Sequence, residues 1–232
     1  MKGFFLNFEG GDGSGKSAQM KMLVERLRSL GREVETISFP QHGQPSAKII
    51  DMYLRGEFGT RDDVGAYVVA ALYARDRQTT KEKIQGWLDA GKIVVADRFV
   101  ASAMAYESAF FADPKERAVF RLWVEDLEFV RMNLPRPDLT LIMSVPAALR
   151  DMLVEKKEAR AYTAGQEKDL HERDRAYQER VEIAYREIAD QFPNYVLVDC
   201  VTAEGELPSI EACHDLVWPH VARALEIAPA TP

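Results

Sequence analysis

Residues 8–17 read FEGGDGSGKS. Gly10, Gly15, Lys16 and Ser17 match the pattern G-x-x-x-x-G-K-[ST], and the flanking segments decide how that pattern is read. Upstream, Phe4, Phe5, Leu6 and Phe8 form a short apolar run, interrupted by Asn7, as expected of a strand buried on both faces of a parallel sheet. Downstream, Met20, Leu23, Val24, Leu27 and Leu30 recur at helical spacing, and Gly31 is placed to stop the helix. Glycines between a strand and a helix let successive N–H groups curl inward, and the helix N-terminus adds partial positive charge. The bland alternative is a turn that merely links strand to helix. The full motif in this context favours a loop that cradles phosphate.

Outward from this loop, strands alternate with helices. Glu33–Phe39 reads as a second strand closed by Pro40, and a helix is expected over about Ser46–Leu54. A longer helix is expected over about Asp62–Ala90, with Asp62 as cap and Gly91 as stop, although Gly65 and Gly86 lie inside it. Ile93–Ala96 forms a third strand ending at Asp97, followed by helices over Ser102–Phe110 and Asp113–Asn133. Pro135 and Pro137 break the chain before a fourth strand, Leu139–Val145. A charged helix leads into residues 155–174, and a further helix runs to about Gln191. Tyr195–Val198 is a fifth strand and Ile210–Leu225 a last helix. The alternation predicts an α/β fold: a P-loop NTPase with three α/β/α layers and a five-stranded parallel sheet. Residues 1–226 read as one domain, and the tail IAPATP, 227–232, reads as disordered. Ligands of such sheets bind beyond the carboxyl ends of the strands, which points to residues 9–17, 39–44 and 97–106.

Composition narrows the class. The 232 residues are 47% hydrophobic, enough for a sizeable core, and carry a formal net charge of −7. An acidic chain argues against nucleic-acid binding, which calls for basic stripes. Cys200 and Cys213 are the only cysteines and lack metal-like spacing, consistent with a reducing compartment. Neither a signal peptide nor an apolar run of membrane-spanning length is visible, so a cytoplasmic protein without membrane contact is expected.

The loop, Gly10, Gly11, Asp12, Gly13, Ser14, Gly15, Lys16 and Ser17, is therefore expected to hold ATP or GTP. Lys16 would reach the outer phosphates and Ser17 would ligate Mg2+. The guanine-specific pattern N-K-x-D does not occur, and the fourth strand, LTLIMSV, lacks the usual acid. The third strand instead ends in Asp97-Arg98. Asp97 would hold the water shell of the metal, and Arg98 would clamp a second phosphate with its fork of donors. The structural alternative is a capping Asp beside a surface Arg.

At this point the chain resembles the thymidylate kinases over nearly its whole length. The resemblance rests on Asp12-Gly13-Ser14-Gly15, on Phe39-Pro40, on YARDR at residues 73–77, on DRFVASAMAY at residues 97–106, and on PDLTL at residues 137–141. It implies ATP-dependent phosphorylation of dTMP to dTDP, a step toward dTTP, with Mg2+ and by direct transfer. It also implies a homodimer formed through helices, to which the long helix from Asp62 would contribute. Residue by residue, it implies that Asp12 accepts from the 3′-hydroxyl of the acceptor and that Arg98 binds the acceptor phosphate. Tyr73 would stack on the base, Arg77 would hydrogen-bond its exocyclic oxygen, and Tyr106 would line the sugar beside Phe39 and Pro40, with Ser102 nearby. Without the resemblance, Tyr73 and Arg77 would read as a half-buried aromatic and a surface charge.

Members of this family place a catalytic cation either after the loop acid or in a mobile lid. Here the loop position is Gly13, so the cation is expected in a small helical lid over about residues 155–170, from Lys156, Lys157 or, preferably, Arg160. The bland reading of those residues is a solvated helix end. Several positions depart from the pattern: Gln41-His42, Arg75, Ala103 and Ser144 replace residues usual in relatives. The alternatives are a kinase for another nucleoside monophosphate or deoxynucleoside, and a nucleotide-binding relative without activity.

Overall fold

A computed structural model describes residues 2–146, 149, 175–202 and 205–227. Its centre is a five-stranded sheet in the order β2-β3-β1-β4-β5. The strands are β1 (Phe4–Glu9), β2 (Val34–Ser38), β3 (Ile93–Asp97), β4 (Leu139–Ser144) and β5 (Tyr195–Asp199), and every pairing is parallel. The register brings Phe8 beside Asp97, Asp97 beside Ser38, and Glu9 beside Ile142. The carboxyl ends of β1, β2 and β3 thus open at one rim.

The pleat sends alternate residues of β1 to opposite faces. Phe5 joins one core with Phe99, Met104, Phe120, Tyr177 and Tyr185. Leu6 and Phe8 join another with Leu23, Leu27, Val217 and Val221. Helices α1 (Lys16–Ser29) and α9 (Ile210–Ala224) cover the second face. They are joined by Gln19, whose Nε2 donates to the Ile210 carbonyl at 2.7 Å and whose Oε1 lies 3.2 Å from His214 Nδ1. Arg26 also lies over the Trp218 ring, 3.7 Å from its centroid. The first face is covered by α4 (Ala66–Gln78), α5 (Lys81–Asp89), α6 (Val100–Ser108), α7 (Pro114–Glu125) and α8 (Arg175–Gln191). Among the described residues no helix is long and apolar enough to cross a membrane.

The expected helix over Asp62–Ala90 is three helices. Asp62 is not its cap: Thr60 is, accepting from the Asp63 N–H while the Asp63 carboxylate accepts from the Thr60 N–H. The short α3 (Arg61–Val64) ends at Gly65, whose φ of +83° and ψ of 147° leave the helical region. Helix α4 ends where the Thr79 and Thr80 hydroxyls donate back to the Asp76 and Arg77 carbonyls, competing with the helical ladder. Gly86 stays inside α5. The helix expected over Ser46–Leu54 begins as a 3-10 turn, Pro45–Ala47, and continues as α2 (Lys48–Leu54). Asp113 caps α7 through the Lys115 N–H, and the helix continues as a π-helical turn over Asp126–Arg131. The proposed lid at 155–170 and residues 228–232 of the tail lie outside the described residues.

Candidate functional site

Beyond the rim lies a cavity of about 690 Å³. Its lining includes Asp12–Ala18 of the phosphate loop, Ser38–Pro40 and His42 after β2, Leu54, Tyr73, Asp97 and Arg98 after β3, and Ser102, Ala103, Tyr106 and Glu107 on α6. Ile210, at the start of α9, completes the wall beside the loop.

The loop is built by backbone conformation. Gly10, Gly13 and Gly15 have φ of +131°, +80° and +83°. A Cβ at Gly10 would lie 2.4 Å from the Met143 carbonyl oxygen, so strand β4 leaves no room there for a side chain. Lys16 is buried, and its ammonium group donates to the Gly10 and Gly11 carbonyls, both at 2.9 Å. Burial, aided by the nearby Arg98 charge, lowers its pKa to about 8. The Ser17 hydroxyl lies 3.5 Å from Asp97 Oδ2. A hydroxyl and a carboxylate at the foot of a phosphate loop are hard oxygen donors of the kind Mg2+ takes when it keeps waters and phosphate oxygens as its other ligands.

Opposite Lys16, Asp12, Arg98 and Tyr106 form a cluster. Arg98 Nη2 donates to Asp12 Oδ1 at 2.6 Å and to the Tyr106 hydroxyl at 3.3 Å, and Nη1 donates to Ser102 Oγ at 3.3 Å. The Tyr106 hydroxyl donates to Asp12 Oδ2 at 3.0 Å. Burial opposes the Arg98 charge, but the Asp12 carboxylate together with Tyr106, Tyr185 and Asp97 outweighs it and holds the guanidinium firmly protonated. Arg98 has φ of +64°, unusual outside glycine, so its backbone is bent to deliver the side chain here.

A family model for thymidylate kinase matches residues 8–209. The chain belongs to the thymidylate kinase family. It is 36% identical over 188 residues to the thymidylate kinase of Mycobacterium tuberculosis, covering 80% of this chain and 86% of that protein. It is 31% identical over 212 residues to the thymidylate kinase of Caulobacter vibrioides, covering 91% and 93%. Among solved structures, a thymidylate kinase from Candida albicans superposes with a TM-score of 0.72 over 97% of this chain and 93% of its own, at 22% identity, which supports the fold.

As a thymidylate kinase, the chain brings most of its sequence-expected residues to one cavity. Asp12, Lys16, Ser17, Phe39, Pro40, Tyr73, Asp97, Arg98, Ser102 and Tyr106 all line it. Arg77 does not. Its guanidinium pairs in two-point fashion with Glu128, at 2.6 Å for each contact, and donates to the Phe99 carbonyl at 3.3 Å. Both partners are buried, so the expected contact between Arg77 and the base is not what this geometry offers. Asp76, in the same YARDR segment, anchors the loop after β2 by accepting from the Gln41 N–H at 2.9 Å and from the Ser46 hydroxyl at 2.5 Å. Arg75 is exposed and bonds Gln78. Lys156, Lys157 and Arg160 lie outside the described residues.

One charged lining residue is absent from the sequence reading. Glu107 is 1% exposed, and its Oε2 has no hydrogen-bond partner among the described residues. Burial pushes its carboxyl well above the usual range, with Arg61 and Arg77 opposing. It stands one helical turn after Ala103, on the same face of α6, and that spacing is the signal that placed an acid beside the pocket.

Proposed function

We propose that this chain transfers the γ-phosphoryl group of ATP to dTMP, giving ADP and dTDP, and that it acts in the cytoplasm. The observation that carries this reading is the single cavity holding both the phosphate loop and the Asp12–Arg98–Tyr106 cluster. The loop N–H groups and Lys16 bind the donor phosphates, and Lys16 leaves the Gly10 and Gly11 carbonyls to do so. Mg2+, when bound, neutralises charge on the transferring phosphates, and Ser17 and Asp97 would hold it through oxygen and water. Arg98 binds the acceptor phosphate. Asp12 then exchanges its Arg98 contact for the sugar 3′-hydroxyl. Phe39, Tyr73 and Leu54 enclose the base, and Glu107 is the polar group on the α6 side of that enclosure. Positioning and charge stabilisation suffice, without a covalent intermediate.

Gly13 brings no charge to the transferring group, so the lid residues Lys156, Lys157 and above all Arg160 supply it in this reading. The active unit is a homodimer. Tyr67 and Val68 of α4 and Val119 and Leu122 of α7 are large exposed apolar side chains, and the Tyr67 ring packs on Phe120 and Trp123 of α7. A second copy covering this shared face removes it from water.

The test is ADP release from MgATP across the nucleoside monophosphates. dTMP should turn over faster than dUMP, CMP, GMP or AMP. Faster turnover of another monophosphate reassigns the base, and no turnover of any supports the inactive reading.

A further inference from the structure

Glu9, the acid just before Gly10 of the phosphate loop, touches neither donor nor acceptor in the proposed reaction. It is the last residue of β1, fully buried, and faces α6 rather than the cavity. A buried carboxylate is costly unless its oxygens are fully engaged. Five donors engage this one. Oε1 accepts from Asn7 Nδ2 at 2.9 Å, the Phe99 N–H at 2.7 Å and the Ser102 N–H at 3.2 Å. Oε2 accepts from the Ser102 hydroxyl at 2.6 Å and the Tyr185 hydroxyl at 3.0 Å.

Two of these donors explain how α6 starts. Phe99, the N-cap residue, supplies no side-chain cap of its own. Its N–H would otherwise be an orphan donor in a buried helix end, and the Ser102 N–H would keep only the Phe99 carbonyl, at 3.2 Å. Glu9 caps them from a different element, 90 and 93 residues away in sequence. The residue just before this pinned turn is Arg98, with its φ of +64°. Such a conformation persists only where its surroundings enforce it. Here the Arg98 N–H is held by the Phe8 carbonyl at 2.9 Å, and the next N–H by the Glu9 carboxylate. Beyond the backbone, Ser102 donates to Glu9 and accepts from Arg98 Nη1, so one hydroxyl links the buried acid to the guanidinium.

We propose that Glu9 is a positioning residue for the acceptor-phosphate clamp: it fixes the backbone turn that presents Arg98 and orients the Ser102 hydroxyl that Arg98 binds. This rests on the reading of Arg98 as the clamp and is independent of the identity of the base. Tyr185 completes the arrangement as a donor. Burial, then the charge of Glu9, holds its hydroxyl well above the usual tyrosine range, so it stays protonated.

The test is a double-mutant cycle with Arg98, read as equilibrium binding by calorimetry and as steady-state kinetics. The acceptor is dTMP, or whichever monophosphate the wild-type enzyme turns over fastest. Glu9→Gln keeps the shape and one acceptor oxygen for the N–H groups but presents an amide to the two hydroxyls. It should lower kcat/KM for the acceptor by about tenfold, and Glu9→Ala by on the order of a hundredfold, as expected for misplacement of a positioned group. KM for ATP should stay within about twofold in both, since the loop that binds it is untouched. In an Arg98→Ala background, either change at Glu9 should have little further effect on acceptor binding. If Glu9→Ala does not fold, Glu9→Gln decides alone. Acceptor binding lost equally with and without Arg98, KM values for ATP and acceptor rising together, or wild-type acceptor kinetics in Glu9→Gln would each overturn the proposal.

Discussion

The Asp12 carboxylate accepts from the Arg98 guanidinium at 2.6 Å, so the residues assigned to sugar and phosphate hold one another. The acceptor must compete with that bond. Arg98→Ala removes both the phosphate contact and one partner of a largely buried acid. It should cost roughly 2–4 kcal/mol in kcat/KM for dTMP, on the order of a hundredfold or more, with KM for dTMP raised. Arg98→Lys should recover only part of this, because one ammonium cannot reach Asp12, Ser102 and Tyr106 as the fork does. Steady-state kinetics of both variants check it, and unchanged dTMP kinetics would remove Arg98 from the site.

Lys16 offers a proton-linked signature of nucleotide binding. Its pKa stands at about 8 because burial and Arg98 disfavour the charged form. Donor phosphates add negative charge beside it and raise the pKa, so binding should take up protons at about pH 8.5–9 and almost none at about pH 6.5. Calorimetry of ATP binding in buffers of different ionisation enthalpy measures the uptake. Lys16→Ala should abolish both the uptake and turnover.

The Arg77–Glu128 pair is predicted to be structural. Removing one partner leaves an uncompensated buried charge, so Arg77→Ala should cost roughly 3–5 kcal/mol, which for a chain of this size lowers Tm by roughly 6–20 °C. The double variant Arg77→Met/Glu128→Leu should lose much less stability and keep KM for dTMP near wild type. A folded double variant that no longer distinguishes dTMP from CMP would show that Arg77 reads the base after all.

Glu107 should make stability fall with rising pH. Its folded pKa is raised by burial, so the unfolded chain releases this proton first as pH climbs past the ordinary glutamate range of about 4.3. The penalty grows until the folded pKa is passed. Glu107→Gln has no proton to lose there. Its Tm relative to wild type should be lowest near pH 4 and should increase toward pH 8. A difference in Tm that does not change with pH would mean that Glu107 is ionised in the folded protein.

For the shared apolar face, Leu122→Glu should convert the proposed homodimer to monomer, as measured by light scattering. A dimer that survives the change uses another surface.

Much of this was legible from residues 8–17 and 97–106. A strand, glycines, a lysine and a helix act through local geometry, so their order in sequence carries the whole loop. Asp97-Arg98 was legible because strand ends in a parallel sheet have a known place. The breaks in the Asp62–Ala90 segment were not, because Gly65 and the back-bonding of Thr79 and Thr80 compete with a strong helical pattern and only the fold decides between them. The fate of Arg77 was hidden for a different reason. Its partner, Glu128, lies 51 residues away, and no local spacing announces a pairing across two helices. Glu9 and Glu107 carry no legible role in the sequence, because an acid reads as solvated until its burial is known.

The contact between α1 and α9 bears on how the cavity changes shape. The helix that rises from the phosphate loop is locked through Gln19 to the carbonyl of Ile210, itself a wall of the cavity. Phosphate cradle and wall therefore travel together, and this flank is stiff. The opposite flank rests on a seven-residue α2, which brings Leu54 to the lining, and on the segment before it, tied to α4 through Asp76. Such short pieces yield more easily than a long packed helix pair. Accommodation of different acceptors is thus a property of the compliant flank, while the donor meets an unyielding surface.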